Sequence, residues 1–152
     1  LPGDLTLSQA QAVVRAATAR AQAIKVPVNI AVVDAGGNLK AFARMDDAFI
    51  GSIDIAERKA RTARYFNMST RDLGKAAQPG QPLYGIEATN NGLAIFAGGV
   101  LLTDKKGTIV GSVGVSGGSV DEDENVAEAG AAGGSSRKRP IMRQLGQIAM
   151  LG

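Results

Sequence analysis

The residues best suited to chemistry lie on one helical stretch and in one loop. Lys59 and Thr62 fall close in angle to the apolar stripe of a predicted helix, where a cation or a hydroxyl can anchor the carboxylate of a ligand. Glu87 lies in a polar loop further along the chain. If the protein is an enzyme, we expect Lys59 or Glu87 to transfer the proton, with a small organic acid or an aldehyde as substrate.

Two residue types that dominate protein chemistry are missing, since the 152 residues include no cysteine and no histidine. Without cysteine there are no disulfides, iron–sulfur clusters or thiol nucleophiles. Without histidine the commonest general base and the usual haem ligand are gone. A bound haem would therefore need methionine, tyrosine or lysine, and Met68 is one such side chain. The residues that we predict to contact a cofactor are Met45, Lys59, Thr62, Tyr65 and Tyr84.

A glycine–serine stretch, GSVGVSGG at residues 111–118, contains the pattern G-x-S-x-G between a predicted strand and a predicted helix. A serine triad needs an imidazole, which this chain cannot supply. We therefore interpret the stretch as a structural turn. A phosphate cradle is the alternative, because glycines and helix N-terminal amides favour anions, but acidic residues already follow the turn.

Four acids occupy positions 121–124. Asp121, Glu122 and Glu124 could contribute to a surface iron or calcium site, yet consecutive positions diverge around a helix and the spacing of an EF-hand is absent. Acids at the start of a helix are expected from the helix dipole alone. We interpret the run as solvated acids that satisfy the dipole, and the metal site stays open as the alternative.

Length and charge limit the class of protein. A chain of 152 residues is expected to form one domain with a full core. The net charge is +3, but four of the 17 basic residues lie in the acid-free positions 133–152, which leaves 13 basic against 14 acidic groups in the body. We therefore expect a body that does not bind nucleic acid. No apolar run approaches the length of a membrane span, so no membrane partner is expected either.

The two ends of the chain carry separate expectations. We predict a domain over residues 1–132 and a basic extension over residues 133–152, which is disordered, vector-derived or an arm that binds a protein partner. The N-terminus has no charged-then-apolar signal pattern, which favours the cytoplasm. Because the chain begins at Leu1, export stays open.

The spacing of apolar residues predicts the elements that must position these side chains. Helices are predicted over residues 6–24, 50–66, 69–75 and 119–131. The inward stripe of the second helix is predicted to consist of Ile50, Ile53, Ala56, Ala60 and Ala63, and Gly133 and Gly134 are predicted to break the last helix. Ser119 and Glu122 have the spacing of a capping box. Strands are predicted near residues 28–32, 39–45, 95–103 and 108–115. They form two hairpins, around a glycine turn at 34–38 and a four-residue turn at 104–107. The polar loop at 84–92 is long enough to favour a functional role.

One face of the last predicted strand has almost no large side chains, because every second residue, which points to that face, is small: Ser112, Gly114 and Ser116. Another part of the molecule must pack closely against such a face. We expect either a helix or a ligand there.

An ordered series of motifs resembles the GlcG/HbpS-like family of haem-binding or haem-degrading proteins, which includes the C-terminal domain of PduO-type proteins. The resemblance extends over residues 5–131. The motifs are AVVDAGGN (31–38), FARMD (42–46), GSIDIA (51–56), KARTA (59–63), GSVGVSGG (111–118) and DEDENVAEAG (121–130).

The resemblance implies an α/β (α+β) fold of the profilin-like or PAS-like kind, with an antiparallel sheet of about five strands flanked by helices. It also implies a homo-oligomer with a small-molecule ligand. The histidine that ligates haem in the PduO-like branch has no counterpart here, so a haem would need methionine, tyrosine or lysine, or the weak non-histidine contact that the resemblance to the haem-binding branch allows. We therefore expect a ligand-binding accessory protein whose ligand is a haem-like tetrapyrrole or a small organic acid. The enzyme is the alternative, and a structural or signalling oligomer that binds only other proteins is a third hypothesis.

Overall fold

A computed structural model of the protein describes residues 3–134. Within this range four α-helices, one short 3-10 turn and four β-strands follow one another along the chain. The elements are α1 (Leu7–Ile24), β1 (Asn29–Asp34), β2 (Leu39–Arg44), α2 (Gly51–Phe66), α3 (Thr70–Ala76), the 3-10 turn Ile86–Ala88, β3 (Gly99–Thr103), β4 (Ile109–Ser116) and α4 (Val120–Gly134). In residues 3–134 none of the helices combines the length and the apolar character that crossing a membrane requires.

The strands form one antiparallel sheet in the order β2-β1-β4-β3, so the two predicted hairpins are confirmed and meet through β1 and β4. The expectation of about five strands is wrong for the described part of the chain, which has four. The long segment between α3 and β3 adds no strand because its backbone bonds elsewhere. The Leu93 amide donates to the Glu87 carbonyl oxygen, and the Ala94 amide donates to Thr62 Oγ1.

The third strand begins later than predicted, at Gly99 instead of residue 95. Gly98 has φ +134°, a conformation that side chains disfavour. A methyl group at Gly98 would lie 2.5 Å from Lys59 Nζ. The chain therefore turns past the lysine before it enters the sheet.

Helices α1 and α4 cover one face of the sheet and enclose the larger core cluster, which includes Val13, Ile30 and Val113. The first helix begins with a capping box, in which the Gln9 amide donates to Thr6 Oγ1 at 3.1 Å and the Thr6 amide donates to Gln9 Oε1 at 2.9 Å. This reciprocal pair fixes where α1 starts.

The fourth helix runs to Gly134, three residues beyond the predicted end at 131. The prediction treated Gly133 and Gly134 as helix breakers, but both face α1 at very short range. A methyl at Gly133 would lie 2.4 Å from Ala16 Cβ, and one at Gly134 would lie 2.0 Å from Val13 Cγ2. These glycines let the two helices approach. Of the predicted extension, residues 135–152 lie outside the described residues.

Helix α2 covers the other face of the sheet and packs on the nearly bare face of β4. Ser112 Oγ donates a hydrogen bond to the Ala60 carbonyl oxygen. A methyl at Gly114 would lie 2.1 Å from the Ala56 carbonyl oxygen, which is far inside van der Waals contact. Of the two expectations for this face, the structure therefore supports the helix.

Candidate functional site

The side chain of Lys59 projects from the inner face of α2 and is fully buried. Its Nζ donates to the Val115 carbonyl oxygen at 2.8 Å and to Asp123 Oδ2 at 3.1 Å. The same Nζ lies 5.0 Å from the centroid of the Phe96 ring, within the range of a cation–π contact. Two acceptors and a ring face therefore surround the ammonium, and a ligand could reach it only by displacing one of them.

Asp123, in the first turn of α4, completes this buried ion pair. Its Oδ1 accepts a hydrogen bond from the Gly118 amide at 2.8 Å, so the carboxylate ties the glycine–serine turn to α2. Burial lowers the pKa of Lys59 and raises the pKa of Asp123, because both charged forms lose solvation. The opposite charge of each partner offsets part of that effect.

The interpretation of the acid run as solvated side chains is wrong for Asp123, which is buried. Asp121 and Glu124 instead bond to Arg71 of α3. The capping box of α4 is confirmed. The Ser119 amide donates to Glu122 Oε1 at 2.9 Å and the Glu122 amide donates to Ser119 Oγ at 3.1 Å. Across residues 3–134 no group of three or more His, Cys, Asp or Glu side chains is placed to hold a metal ion.

Thr62 and Glu87 lie where α2 meets the loop that follows α3. Thr62 is buried, and its Oγ1 accepts the Ala94 amide at 3.1 Å. Glu87 sits in the 3-10 turn, where its Oε1 is buried and has no hydrogen-bond partner among the described residues. Thr62 thus fastens the loop, while Glu87 retains an unused acceptor.

The three remaining predicted cofactor contacts do not gather at one place. Met45 packs against the core cluster on the α1 side of the sheet, away from α2. Tyr65 lies over the turn between β1 and β2, where a methyl at Gly37 would come within 2.9 Å of Tyr65 Cε1. Tyr84 projects from the loop after α3 and is 66% exposed. The structure thus places Lys59 and Thr62 on one face of α2 and separates Met45 from them.

Sequence reasoning missed a pair of exposed apolar residues at the start of α2. Ile50 was predicted to begin the inward stripe of this helix, but it is 74% exposed, and its neighbour Phe49 is 69% exposed. Ser52 takes the inward position in their place. The signal was available, because Ile50 lies six residues before Ala56, whereas helical spacing places the preceding inward residue four positions before it, at Ser52.

The protein also has a cleft that contains none of the α2 candidates. A cavity of about 210 Å³ lies between the start of α1 and the β3–β4 hairpin. Its lining includes Leu5, Gln9, Leu102, Val110 and Gly134. It lies on the opposite side of the sheet from Lys59.

Comparison with known proteins places the chain in a family. A family model described as "Haem degrading protein HbpS-like" matches residues 5–132. A 15.0 kDa protein from the dhaT–dhaS intergenic region of Citrobacter freundii is 44% identical over 124 residues, which is 82% of this chain and 87% of the relative. The chain belongs to the HbpS-like family.

Two solved structures extend the HbpS-like relationship to the fold. A complex of PduOC with haem is 37% identical with a TM-score of 0.81 and covers 86% of this chain and 94% of that one. A crystal structure of HbpS is 37% identical with a TM-score of 0.78 and covers 87% of this chain and 91% of that one. The architecture of the HbpS-like chain is therefore shared with a protein whose structure contains haem.

Proposed function

We propose that this HbpS-like protein is a non-catalytic ligand-binding protein that acts as a homo-oligomer and accessory factor. Its ligand is a haem-like tetrapyrrole or a small organic acid. The observation that carries the proposal is the exposure of Phe49, Ile50 and Tyr84, the most exposed large hydrophobic side chains of the described residues. Large apolar side chains exposed in a small domain mark surfaces that bind a ligand or another subunit.

The residues present are compatible with a haem. Haem is a flat, largely apolar group with an iron at its centre, so it needs apolar contacts and one ligating atom. Exposed Phe96 and Leu83 add to the apolar surface, and exposed tyrosine and methionine side chains supply ligating atoms. The haem of the PduOC complex and the description of the family support the same ligand. Bound haem would supply an iron centre, and the protein would hold and shield it.

Titration of the purified protein with haem, followed by absorbance, tests the tetrapyrrole version. We expect a saturable Soret shift at micromolar protein. If no shift occurs, the tetrapyrrole version fails, and thermal stabilisation by a panel of small carboxylates tests the organic-acid version. A protein that gives neither a Soret shift nor stabilisation would contradict ligand binding altogether.

A second candidate function rests on Glu87, whose buried carboxylate oxygen lacks a partner. Buried polar atoms without partners are uncommon, and a catalytic role is one of the explanations for them. In this version the protein is an enzyme that acts on a small organic acid or an aldehyde, and Glu87 moves the proton. Lys59 is the weaker choice, because Asp123 and Val115 already hold its ammonium.

Turnover of a panel of small acids and aldehydes, measured for the unaltered protein and for Glu87→Gln, tests the enzyme. We expect turnover that the substitution abolishes while the circular dichroism spectrum stays the same. Absence of turnover with every compound would remove this candidate.

A further inference from the structure

We propose that the cavity between the start of α1 and the β3–β4 hairpin binds a small aliphatic ammonium compound. The cavity has a volume of about 210 Å³. That volume is the share of about seven molecules of liquid water, which is enough for a short organic molecule. None of the exposed residues that carry the proposed function, Phe49, Ile50 and Tyr84, lines it. Binding in this cavity would therefore be independent of the proposed tetrapyrrole or organic acid.

The inner wall of the cavity is apolar. Leu5, Val13 and Leu102 line it, and their exposed fractions are 4%, 0% and 1%. Gly134 also lines the cavity and cannot be replaced by a larger residue that would fill it, because a methyl group there would collide with the Val13 side chain. A wall of this kind favours a ligand with a short hydrocarbon body.

The cavity is also lined by acceptor groups that lack partners. Asp4 Oδ1 accepts two backbone amides at 2.7 and 3.0 Å, and Asp104 Oδ1 accepts two at 2.8 and 2.9 Å. The Oδ2 atoms of both aspartates make no hydrogen bond to residues 3–134, and neither does the hydroxyl of Thr103, which lines the same cavity. An alkylammonium group has three N–H donors, which equals the number of these acceptors.

The charge of the lining favours a cation. No lysine or arginine within residues 3–134 lines the cavity, and the two lysines of the turn at 104–107 are exposed and lie outside the lining. The hydrogen bond from the Ala35 amide lowers the pKa of Asp4, and the positive charge of Lys40 acts in the same direction. The Asp4 carboxylate therefore keeps its negative charge at neutral pH.

An organic cation fits this lining better than a metal ion. Calcium and magnesium take six or more oxygen ligands, and calcium sites are rich in carboxylates. In the part of the chain that the structure describes, no group of three or more His, Cys, Asp or Glu side chains is placed to hold a metal. An alkylammonium ion needs fewer acceptors, and its hydrocarbon body would cover the apolar wall that a metal ion leaves unused.

Titration of the ¹⁵N-labelled full chain with butylammonium, followed by the amide signals, tests the proposal. We expect saturable shifts centred on Leu5, Leu102 and Val110, with a dissociation constant on the order of 1 mM. Butan-1-ol has the same hydrocarbon body without the charge, and butanoate has the opposite charge. Both should bind at least about tenfold more weakly, because hydrogen bonds to a charged group are the stronger ones.

Two substitutions remove the charges and keep the turns. Asp4→Asn and Asp104→Asn retain the Oδ1 atom that accepts the backbone amides, but each replaces the free oxygen with an amide group that repels an ammonium ion. Each should weaken butylammonium at least about tenfold. Asp34→Asn is the matched control, because Asp34 Oδ1 also accepts two turn amides but Asp34 does not line the cavity. Its affinity should stay within about twofold at physiological salt.

The comparison of the three ligands on the unaltered protein needs no variant. Absence of a saturable shift with butylammonium would overturn the proposal, and so would equally tight binding of butan-1-ol, which would show an apolar cavity without preference for a cation. An equal loss of affinity in Asp34→Asn would show a general effect of negative charge instead of a site. If a chain that ends at Gly134 binds butylammonium and the full chain does not, residues 135–152 compete for the cavity and the proposal fails for the full chain.

Discussion

Lys59 Nζ and Asp123 Oδ2 lie 3.1 Å apart in the interior, 64 positions apart in the sequence. The pair joins the middle of α2 to the first turn of α4. Because Lys59 also bonds the Val115 carbonyl oxygen and Asp123 also bonds the Gly118 amide, one ion pair holds the end of β4 and the turn that follows it. The stretch that resembles a catalytic or phosphate-binding loop is thereby committed to structure.

Removing either partner of this pair should destabilise the protein strongly. Lys59→Met or Asp123→Leu alone leaves an uncompensated buried charge, which costs about 3–5 kcal/mol in the free energy of unfolding. The double substitution removes both charges and should cost far less than the sum of the two. Urea denaturation of the four proteins measures this coupling, with Asp121→Asn as the exposed control. Additive effects would show that the two groups are not coupled.

The pH dependence of Asp123→Asn should reveal the charge on Lys59. The ordinary pKa of the lysine is 10.5, and burial lowers it in the folded protein. Between the lowered value and 10.5 the unfolded chain binds more protons, so stability rises with pH. Asp123 raises the pKa of Lys59 in the unaltered protein. The variant lacks this effect, so its folded-state pKa is lower still and the pH window begins at a lower pH. The variant should therefore recover stability relative to the unaltered protein as the pH rises through this window, which thermal denaturation at successive pH values measures. A constant difference in thermal midpoint would contradict the mechanism.

On the acid limb the titration of Asp123 itself changes the stability of the unaltered protein. Burial raises the pKa of Asp123 above its ordinary 3.8, so the folded protein binds more protons between these two values. The contribution of this group is therefore fully present below pH 3.8 and is lost as the pH rises through the folded pKa. We expect the destabilisation caused by Asp123→Asn to shrink as the pH rises through that window. Urea midpoints taken at successive pH values measure it, and a destabilisation that grows there would contradict the direction of the shift.

These features divide into those that local sequence predicts and those that it does not. The capping boxes of α1 and α4 and the two hairpin turns follow from residues a few positions apart, so spacing sufficed to predict the cap at Ser119. The burial of Asp123 depends on a lysine far away in the sequence. A carboxylate at the start of a helix has the same local pattern whether it is solvated or paired, so the sequence could not separate the two.

The register of α2 and the length of α4 show a second limit. Apolar type alone favoured Ile50 as an inward residue, yet tertiary packing buries Ser52 and exposes Ile50. In α4, Gly133 was predicted to end the helix on intrinsic propensity. The close approach of α1 overrides that propensity, because only a glycine fits beside Ala16. Both errors have the same cause. Which residues of a helix are buried, and where the helix ends, depends on the element that packs against it, and local sequence does not reveal that element.

The contact of α2 with β4 should tolerate no added methyl group at Gly114. A Cβ there would lie 2.1 Å from the Ala56 carbonyl oxygen and 2.5 Å from the Ala60 amide nitrogen, so helix and strand must separate. We expect Gly114→Ala to destabilise the protein by about 1–3 kcal/mol or more. Gly51→Ala is the matched control, since nothing lies within 4 Å of its Cβ position and alanine favours a helix. Equal midpoints for the two variants in urea denaturation would contradict the packing.

We predict that the folded domain ends at Gly134 and not at residue 132, the boundary predicted from the sequence. Truncated chains test this boundary. A chain that ends at Gly134 keeps the packing of Gly133 and Gly134 on Ala16 and Val13, and we expect its thermal midpoint to equal that of the full chain. A chain that ends at residue 132 lacks that packing and should melt at a lower temperature. Calorimetry of the three chains measures the difference. If the chain ending at Gly134 also melts early, the extension contributes to the stability of the fold.

The exposed pair at the start of α2 should control assembly if the protein is the proposed homo-oligomer. Phe49 is 69% exposed and Ile50 is 74% exposed, and adjacent exposed apolar side chains of this size are candidates for a surface that binds another subunit. In Phe49→Ser/Ile50→Ser we expect a smaller native mass and a thermal midpoint that no longer rises with protein concentration, because subunit contacts stabilise by mass action. Val120→Ser, at an exposed valine of α4, is the control and should leave both properties unchanged. An unaltered native mass in the double variant would exclude this surface from the subunit interface and would leave it to the ligand.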